Sequence, residues 1–167
     1  QLGRSANEVL IESQVKKALF RLNPQIAAKP EFADEVIYRL RTILISVHQV
    51  GLVKANEEFM LWLTGQKTMP FGENNEHISI RLIDFDNFDN NFYVITNQFR
   101  IHNLETKIPD VVLMINGIPL VVGEAKTPIR PSISWLDGAD EIHNIYENAI
   151  PQLFVPNILS FATEGKE

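Results

Sequence analysis

Three residues in the second half of the chain have the types that phosphodiester hydrolysis needs: Asp110, Glu124 and Lys126. Two carboxylates brought together suit Mg2+, a hard cation that accepts a couple of carboxylates and keeps several waters. Such an ion activates water and offsets phosphate charge, while an ammonium beside it stabilises the transition state or orients the water. Glu124 and Lys126 are two apart, so on a strand both project from one face. A structural ion pair at a strand end would show the same short pattern, and motifs this short are prone to false positives. The surrounding elements have to decide.

Those elements are two apolar runs, Val111–Ile115 and Ile118–Val122, joined by Asn116-Gly117. Both turn residues tolerate positive φ, which makes this a strong hairpin signal. The runs hardly alternate, so the strands are expected to be covered on both faces. Charges at the ends of such strands are costly unless paired, hydrated or holding a metal. Register decides whether the carboxylates meet, because directly opposed residues in an antiparallel pair share a face. A two-residue turn pairs Ile115 with Ile118 and sets Asp110 opposite Gly123, pointing away from Glu124. A three-residue loop over Ile115, Asn116 and Gly117 pairs Met114 with Ile118 and returns Asp110 to the face of Glu124. The expectation is that loop, or a bulge elsewhere that restores parity. A plain two-residue hairpin would end the metal reading.

Upstream, the pattern is helical. Ile11, Val15, Ala18, Leu19 and Leu22 share a face and predict a helix from about Ser5 to Leu22, stopped by Asn23-Pro24. Pro30 to Val47 predicts a second, with Phe32, Val36, Ile37, Leu40, Leu44 and Val47 as its stripe. A third is expected to start with Asn56 as N-cap and stop at Gly65. After Gly72 the texture changes. His77–Ile83 and Phe92–Ile101 read as strands around the turn-rich Asp84–Asn91. Beyond the hairpin come a Pro-broken loop, a helix from about Asp137 to Ala149 with Ile142, Ile145 and Tyr146 on one side, and a last strand over Ile158–Ala162. Helices, antiparallel strands, then a helical crossover to a further strand make an α/β or α+β layered domain. The division expected is a mainly helical part over 1–70 and a sheet core over 75–167, within one domain.

At 167 residues, with 45% hydrophobic and 22% charged residues, the chain suffices for one domain with a core. It has no cysteine, which excludes disulfides and thiolate metal sites. No apolar run approaches the roughly 18 residues of a spanning helix. A net charge of −6 argues against a general nucleic-acid binder, so a DNA-acting domain of this kind would need its grip supplied elsewhere. The first residue is Gln rather than Met, which points to a longer parent protein.

Pro109-Asp110 and Glu124-x-Lys126 resemble the PD-(D/E)xK nuclease signature. The chain around them is similar to something narrower, the N-terminal nuclease domain of the R subunit of type I restriction-modification enzymes. That resemblance is carried by LFRLNPQI (Leu19–Ile26), IRLIDFDN (Ile80–Asn87), NQF (Asn97–Phe99), the stretch Pro109–Pro128 and IPQLFVPNILSFATEG (Ile150–Gly165). It implies a restriction-endonuclease-like mixed sheet flanked by helices, behind an N-terminal helical portion. It also implies Mg2+-dependent cleavage of double-stranded DNA in the prokaryotic cytoplasm, with modification and specificity subunits as partners. An ATP-driven translocase would follow in the same polypeptide; no Walker-type loop occurs in this segment. By position, Asp110 and Glu124 would ligate the metal with the Ala125 carbonyl, and Lys126 would be the catalytic lysine. Many members carry Q-x-x-x-Y on the next helix; Tyr146 matches its tyrosine, whereas the glutamine position is Ile142. The family also has an earlier helical segment, often with a further acidic residue near the site, which this chain begins after.

Gln98, Arg100, Lys107 and Arg130 flank the catalytic strands and are candidates for DNA contact or support of the site, with solvated surface positions as the ordinary alternative. Asp84, Asp86 and Asp89 lack the Gly and terminal Glu of a calcium loop and read as a capped turn. The four histidines show no ligand spacing, and Trp62 and Trp135 read as packing residues. Two other functions fit the same residues: a non-catalytic docking domain that binds partner subunits, and a solitary nuclease with another substrate.

Overall fold

The computed structural model describes residues 3–129 and 133–165. Its first helix, α1 (Glu12–Leu22), starts later than the expected Ser5. Val9, Leu10 and Ile11 are all buried, a consecutive run that no single helix face can hide. The Ile11 N–H donates to the Gly117 carbonyl at 2.9 Å, so this segment is tied to the hairpin turn instead. Asn23 closes α1. Its buried amide donates to the Leu19 and Arg81 carbonyls, and Pro24 then opens the short α2 (Pro24–Ala28).

The long α3 (Glu31–Val50) buries Val36, Ile37, Leu40, Leu44 and Val47 as the stripe predicts. Gly51, at φ 84°, separates it from α4 (Leu52–Leu63). This last helix begins four residues before Asn56, which is therefore not its cap. The Asn56 side chain donates instead to the carbonyls of Val155 and Asn157 at 2.9 and 3.0 Å, joining the helices to the end of the chain.

Strand β1 (Thr68–Met69) pairs with β2 (Ile78–Ser79). The strand expected over His77–Ile83 stops at Ser79 because the Asn23 side chain takes both the N–H and the C=O of Arg81, displacing a ladder partner. The turn that follows is organised by Asp84. Its carboxylate accepts from the N–H groups of Asp86 and Asn87, the Asn90 amide and the Arg81 guanidinium. The Asn90 bond leads the influences that hold this carboxyl below its ordinary range.

The run expected over Phe92–Ile101 breaks at Gln98, whose φ is 50°. It divides into β3 (Tyr93–Asn97) and β4 (Ile101–His102), the latter paired with β5 (Thr106–Lys107). Then come β6 (Val111–Ile115), β7 (Ile118–Ala125) and, after the helical crossover, β8 (Leu159–Thr163). The central sheet has the order β3-β6-β7-β8, antiparallel except for β7 and β8, which run parallel. A parallel neighbour is what a helical crossover produces.

Val112, Met114 and Val122 face inward and join Ile11, Leu19, Ile26, Leu40 and Phe59 in one core. Strand β7 is buried on both faces for nearly its whole length, as expected, whereas the opposite face of β6 is only half covered. Val111, Leu113 and Ile115 of β6 are half-buried, and Ile95 of β3 is 77% exposed.

The crossover carries α5 (Trp135–Asp140), a π-helical segment over Glu141–Tyr146, α6 (Glu147–Ala149) and α7 (Pro151–Phe154). Ser134 and Asp137 form a capping box, which starts the helix ahead of the expected Asp137. Ile142 and Tyr146 are buried, whereas Ile145 is 42% exposed and does not share their face. Trp62 packs in the core, whereas Trp135 is half exposed. No helix among the described residues is long and apolar enough to cross a membrane.

Candidate active site

The hairpin turn holds two residues, not three. Asn116 and Gly117 both have positive φ, 53° and 81°, and Ile115 pairs with Ile118. Left alone, that register would point Asp110 away from Glu124. It is corrected within β7. Met114 pairs with Pro119 but Leu113 pairs with Val121, so Leu120 is an extra residue. Past this bulge Val111 faces Gly123, and one further step sets Asp110 opposite Glu124. Pro119 was the readable sign. A proline cannot donate to a ladder, so inside a central strand it marks a bulge.

The turn is anchored by Asn116, which is fully buried. Its Oδ1 accepts from the Phe92 N–H at 2.8 Å, and its Nδ2 donates to the Leu82 carbonyl and to Asn91 Oδ1, both at 2.9 Å. Gly117 has no room for a side chain, since a Cβ there would lie 2.5 Å from the Ile11 carbonyl oxygen.

At the far end of the hairpin, Asp110 Oδ2 accepts from the Ala125 N–H at 2.9 Å. The Asp110 carbonyl accepts from the Gln98 N–H at 2.8 Å, so the break after β3 holds the acid from behind. Glu124 is 5% exposed. Its Oε1 accepts from Lys126 Nζ at 2.9 Å, and its Oε2 lies 3.2 Å from the Tyr146 hydroxyl. Lys126 also donates to Glu141, and Tyr146 lies 2.9 Å from Glu141 Oε1. Glu124, Lys126, Glu141 and Tyr146 therefore close a ring. The tyrosine has one proton for two carboxylates, and the shorter contact is to Glu141.

Burial raises the pKa of Glu124. The Lys126 hydrogen bond opposes this, and the charges of Asp110 and Glu141 add to it. Burial also works against the Lys126 ammonium, but the bonds to Glu141 and Glu124 outweigh it and its pKa is raised. Glu141 is itself partly desolvated, yet Lys126 and Tyr146 hold its carboxyl below the usual range. Burial and the Glu141 carboxylate push the Tyr146 phenol well above its ordinary value. The cluster therefore contains carboxylates, a secured ammonium and a neutral phenol.

The donor set fits a hard divalent cation. Asp110 and Glu124 are close enough for their like charges to interact, and a cation between them relieves a repulsion that burial aggravates. Among the described residues, no group of three or more His, Cys, Asp or Glu forms a ready-made cage. Such a metal would need waters, main-chain oxygen or substrate to complete its shell.

The structure brings Asp110, Glu124, Lys126 and Tyr146 together. Lys107 pairs with Glu105 at 2.8 Å, and its charge also reaches Glu141. The side chains of Gln98 and Arg100 are exposed and line an open cleft with Arg4 and Thr96. Arg130 lies outside the described residues. Ile142 is in the core, and the polar residue of this helix that meets Tyr146 is Glu141. Sequence reasoning missed Glu141 because it is five residues from Tyr146, a spacing that separates two side chains by roughly 140° on an α-helix. Across the wider π turn they meet. Gly138 lets this helix come close; a Cβ there would sit 3.2 Å from the Ala162 Cβ and 3.5 Å from the Cγ atoms of Glu124 and Lys126.

Fold and site thus define a mixed α/β domain with an acid–lysine–tyrosine cluster at the end of adjacent strands. The chain belongs to the family of type I restriction enzyme R protein N termini, whose model matches residues 1–167. It is 32% identical over 162 residues to the type I restriction enzyme HindI endonuclease subunit of Haemophilus influenzae, covering 94% of this chain and 15% of that subunit. A relative from Methanocaldococcus jannaschii, named for the type I restriction enzyme MjaIXP endonuclease subunit, is 25% identical over 169 residues, covering 98% of this chain and 16% of its own length. The chain therefore spans a small fraction of the curated relatives it matches. No solved structure matches it.

Proposed function

We propose that this chain carries the endonuclease centre of a type I restriction enzyme R subunit and hydrolyses DNA phosphodiesters with Mg2+. The observation that carries this reading is the bulge at Leu120, because without it Asp110 and Glu124 would occupy opposite faces. Asp110 and Glu124 would hold the metal, with the Ala125 carbonyl as a further protein oxygen. Mg2+ bound there supplies an activated water and offsets phosphate charge. Lys126 contributes a fixed positive charge for the negative charge that develops on the phosphate, in a half-buried site where such charges act more strongly than in water. Tyr146 stays protonated and donates to Glu141, which it holds beside Glu124. Gln98 and Arg100, which line an open cleft, and Lys107 would meet the DNA backbone.

The substrate is double-stranded DNA, and the working assembly includes modification and specificity subunits. An ATP-driven motor elsewhere in the subunit would hold and move the DNA. This explains how a nuclease segment with a charge of −6 can act on a polyanion. The test is Asp110→Ala in the full-length subunit, assembled with its partners and supplied with Mg2+ and ATP. Cleavage is expected to fall by at least about 1000-fold, the scale of losing an essential catalytic contact, while translocation continues. Unchanged cleavage would move the domain to the docking reading.

A further inference from the structure

We infer that Glu141 is a positioning residue that keeps Lys126 at the strand end once Glu124 is engaged by the cation. This rests on the nuclease reading above.

Lys126 is held by two carboxylates, but they are not equivalent. Glu124 Oε1 accepts from the lysine at 2.9 Å, while its Oε2 lies 3.2 Å from the Tyr146 hydroxyl, whose single proton has its shorter contact to Glu141. A divalent cation at Asp110 and Glu124 draws on the same oxygens and repels the neighbouring ammonium. Glu124 alone would then hold Lys126 weakly, at the moment its charge is needed. Glu141 stands on the crossover helix and binds the other side of the lysine. Charge balance points the same way. The three carboxylates of Asp110, Glu124 and Glu141 match one ammonium and one divalent cation, whereas two would leave an excess of positive charge between metal and lysine.

The helix is built for this contact. A regular α-helix would turn Glu141 away from Tyr146, and the π segment from Glu141 to Tyr146 brings both onto the face that meets β7 while Ile142 stays in the core. The tyrosine hydroxyl, 2.9 Å from Glu141 Oε1, fixes the carboxylate from its second oxygen. An acid placed only for surface solubility would need neither the wider turn nor the close approach at Gly138.

The experiment uses the full-length subunit in its complex, comparing Glu141→Gln, Glu141→Asp and Glu141→Ala with Asp110→Ala and Lys126→Ala. Glu141→Gln is expected to slow single-turnover cleavage by about 10- to 100-fold, the scale of misplacing a reacting group. The Mg2+ concentration for half-maximal rate and the Mn2+ binding isotherm should stay within about twofold of wild type, because the metal's own ligands remain. Glu141→Asp should recover part of the rate, and a Mn2+-loaded crystal structure should show Lys126 Nζ on the Glu141 carboxylate. Wild-type cleavage by Glu141→Gln, with Asp110→Ala and Lys126→Ala inactive, overturns the inference and leaves the nuclease reading standing. Weakened Mn2+ binding in Glu141→Gln overturns it in another way, making Glu141 a metal ligand. Wild-type cleavage by Asp110→Ala overturns the nuclease reading itself.

Discussion

Glu124 shows what a buried carboxylate costs the fold that holds it. Burial and the charges of Asp110 and Glu141 raise its pKa against the pull of Lys126. A carboxyl whose folded pKa lies above its unfolded value of about 4.3 binds more protons folded than unfolded in the window between them. Stability therefore falls as pH rises through that window, and the ionised form carries the full penalty above it. Metal-free Glu124→Gln is accordingly expected to melt at or above the wild-type temperature at neutral pH, with the advantage vanishing below about pH 4. Calorimetry across pH measures this directly. The same variant should lose the metal response. Saturating Mg2+, at 100 times its Kd, stabilises a binding-competent protein by about 2.7 kcal/mol and should leave the glutamine variant nearly unmoved. A lower melting temperature for Glu124→Gln in EDTA would show that the ion pair with Lys126 outweighs desolvation.

At the scale of elements, aim is set by irregularities. The Asn116-Gly117 turn alone sends Asp110 to the wrong face, the Leu120 bulge returns it, and the π segment turns Glu141 toward Lys126. The turn contributes anchorage instead. Asn116→Ala removes three hydrogen bonds, two of them fully buried, and leaves the Phe92 N–H and the Leu82 carbonyl without their partner. Each neutral bond is worth about 1 kcal/mol and orphaned partners add to the loss, so denaturant unfolding should show at least about 2 kcal/mol of destabilisation. Gly138 tests the other side of the site. A valine there would collide with Ala162 and with the stems of Glu124 and Lys126, forcing the crossover helix outward. Gly138→Val should lose most cleavage, on the order of 100-fold, while far-UV circular dichroism stays near wild type.

For the whole molecule, charge bears on how the proposed DNA substrate would be held. A surface of net −6 gains little from the counterion release that drives DNA binding. The isolated 167-residue chain is expected to bind a random duplex at least about 100-fold more weakly than the assembled enzyme at 0.15 M salt, with a shallower salt slope. Fluorescence anisotropy over a salt series checks both quantities. Equal affinity would place the grip within this segment and turn attention to the cleft lined by Arg4, Gln98 and Arg100.

The sequence by itself determined the chemistry on offer. Asp110, Glu124 and Lys126, the Asn-Gly turn, the stripe of α3 and the crossover to a last strand all follow from residue types and short periods, and Tyr146 from the resemblance to a family motif. Local signals carry such features because neighbours along a strand or helix face are also neighbours in space. Tertiary structure alone decided the rest. The start of α1 follows from its hydrogen bond to Gly117, the end of β2 from the Asn23 amide, and the place of Asn56 from carbonyls a hundred residues away. Glu141 entered the site only through a π turn that breaks the 3.6-residue period, and Asp110 met Glu124 only through a bulge that breaks the two-residue period. Regular periods can be read along a chain. Departures from them are set by packing against segments that the local sequence does not contain.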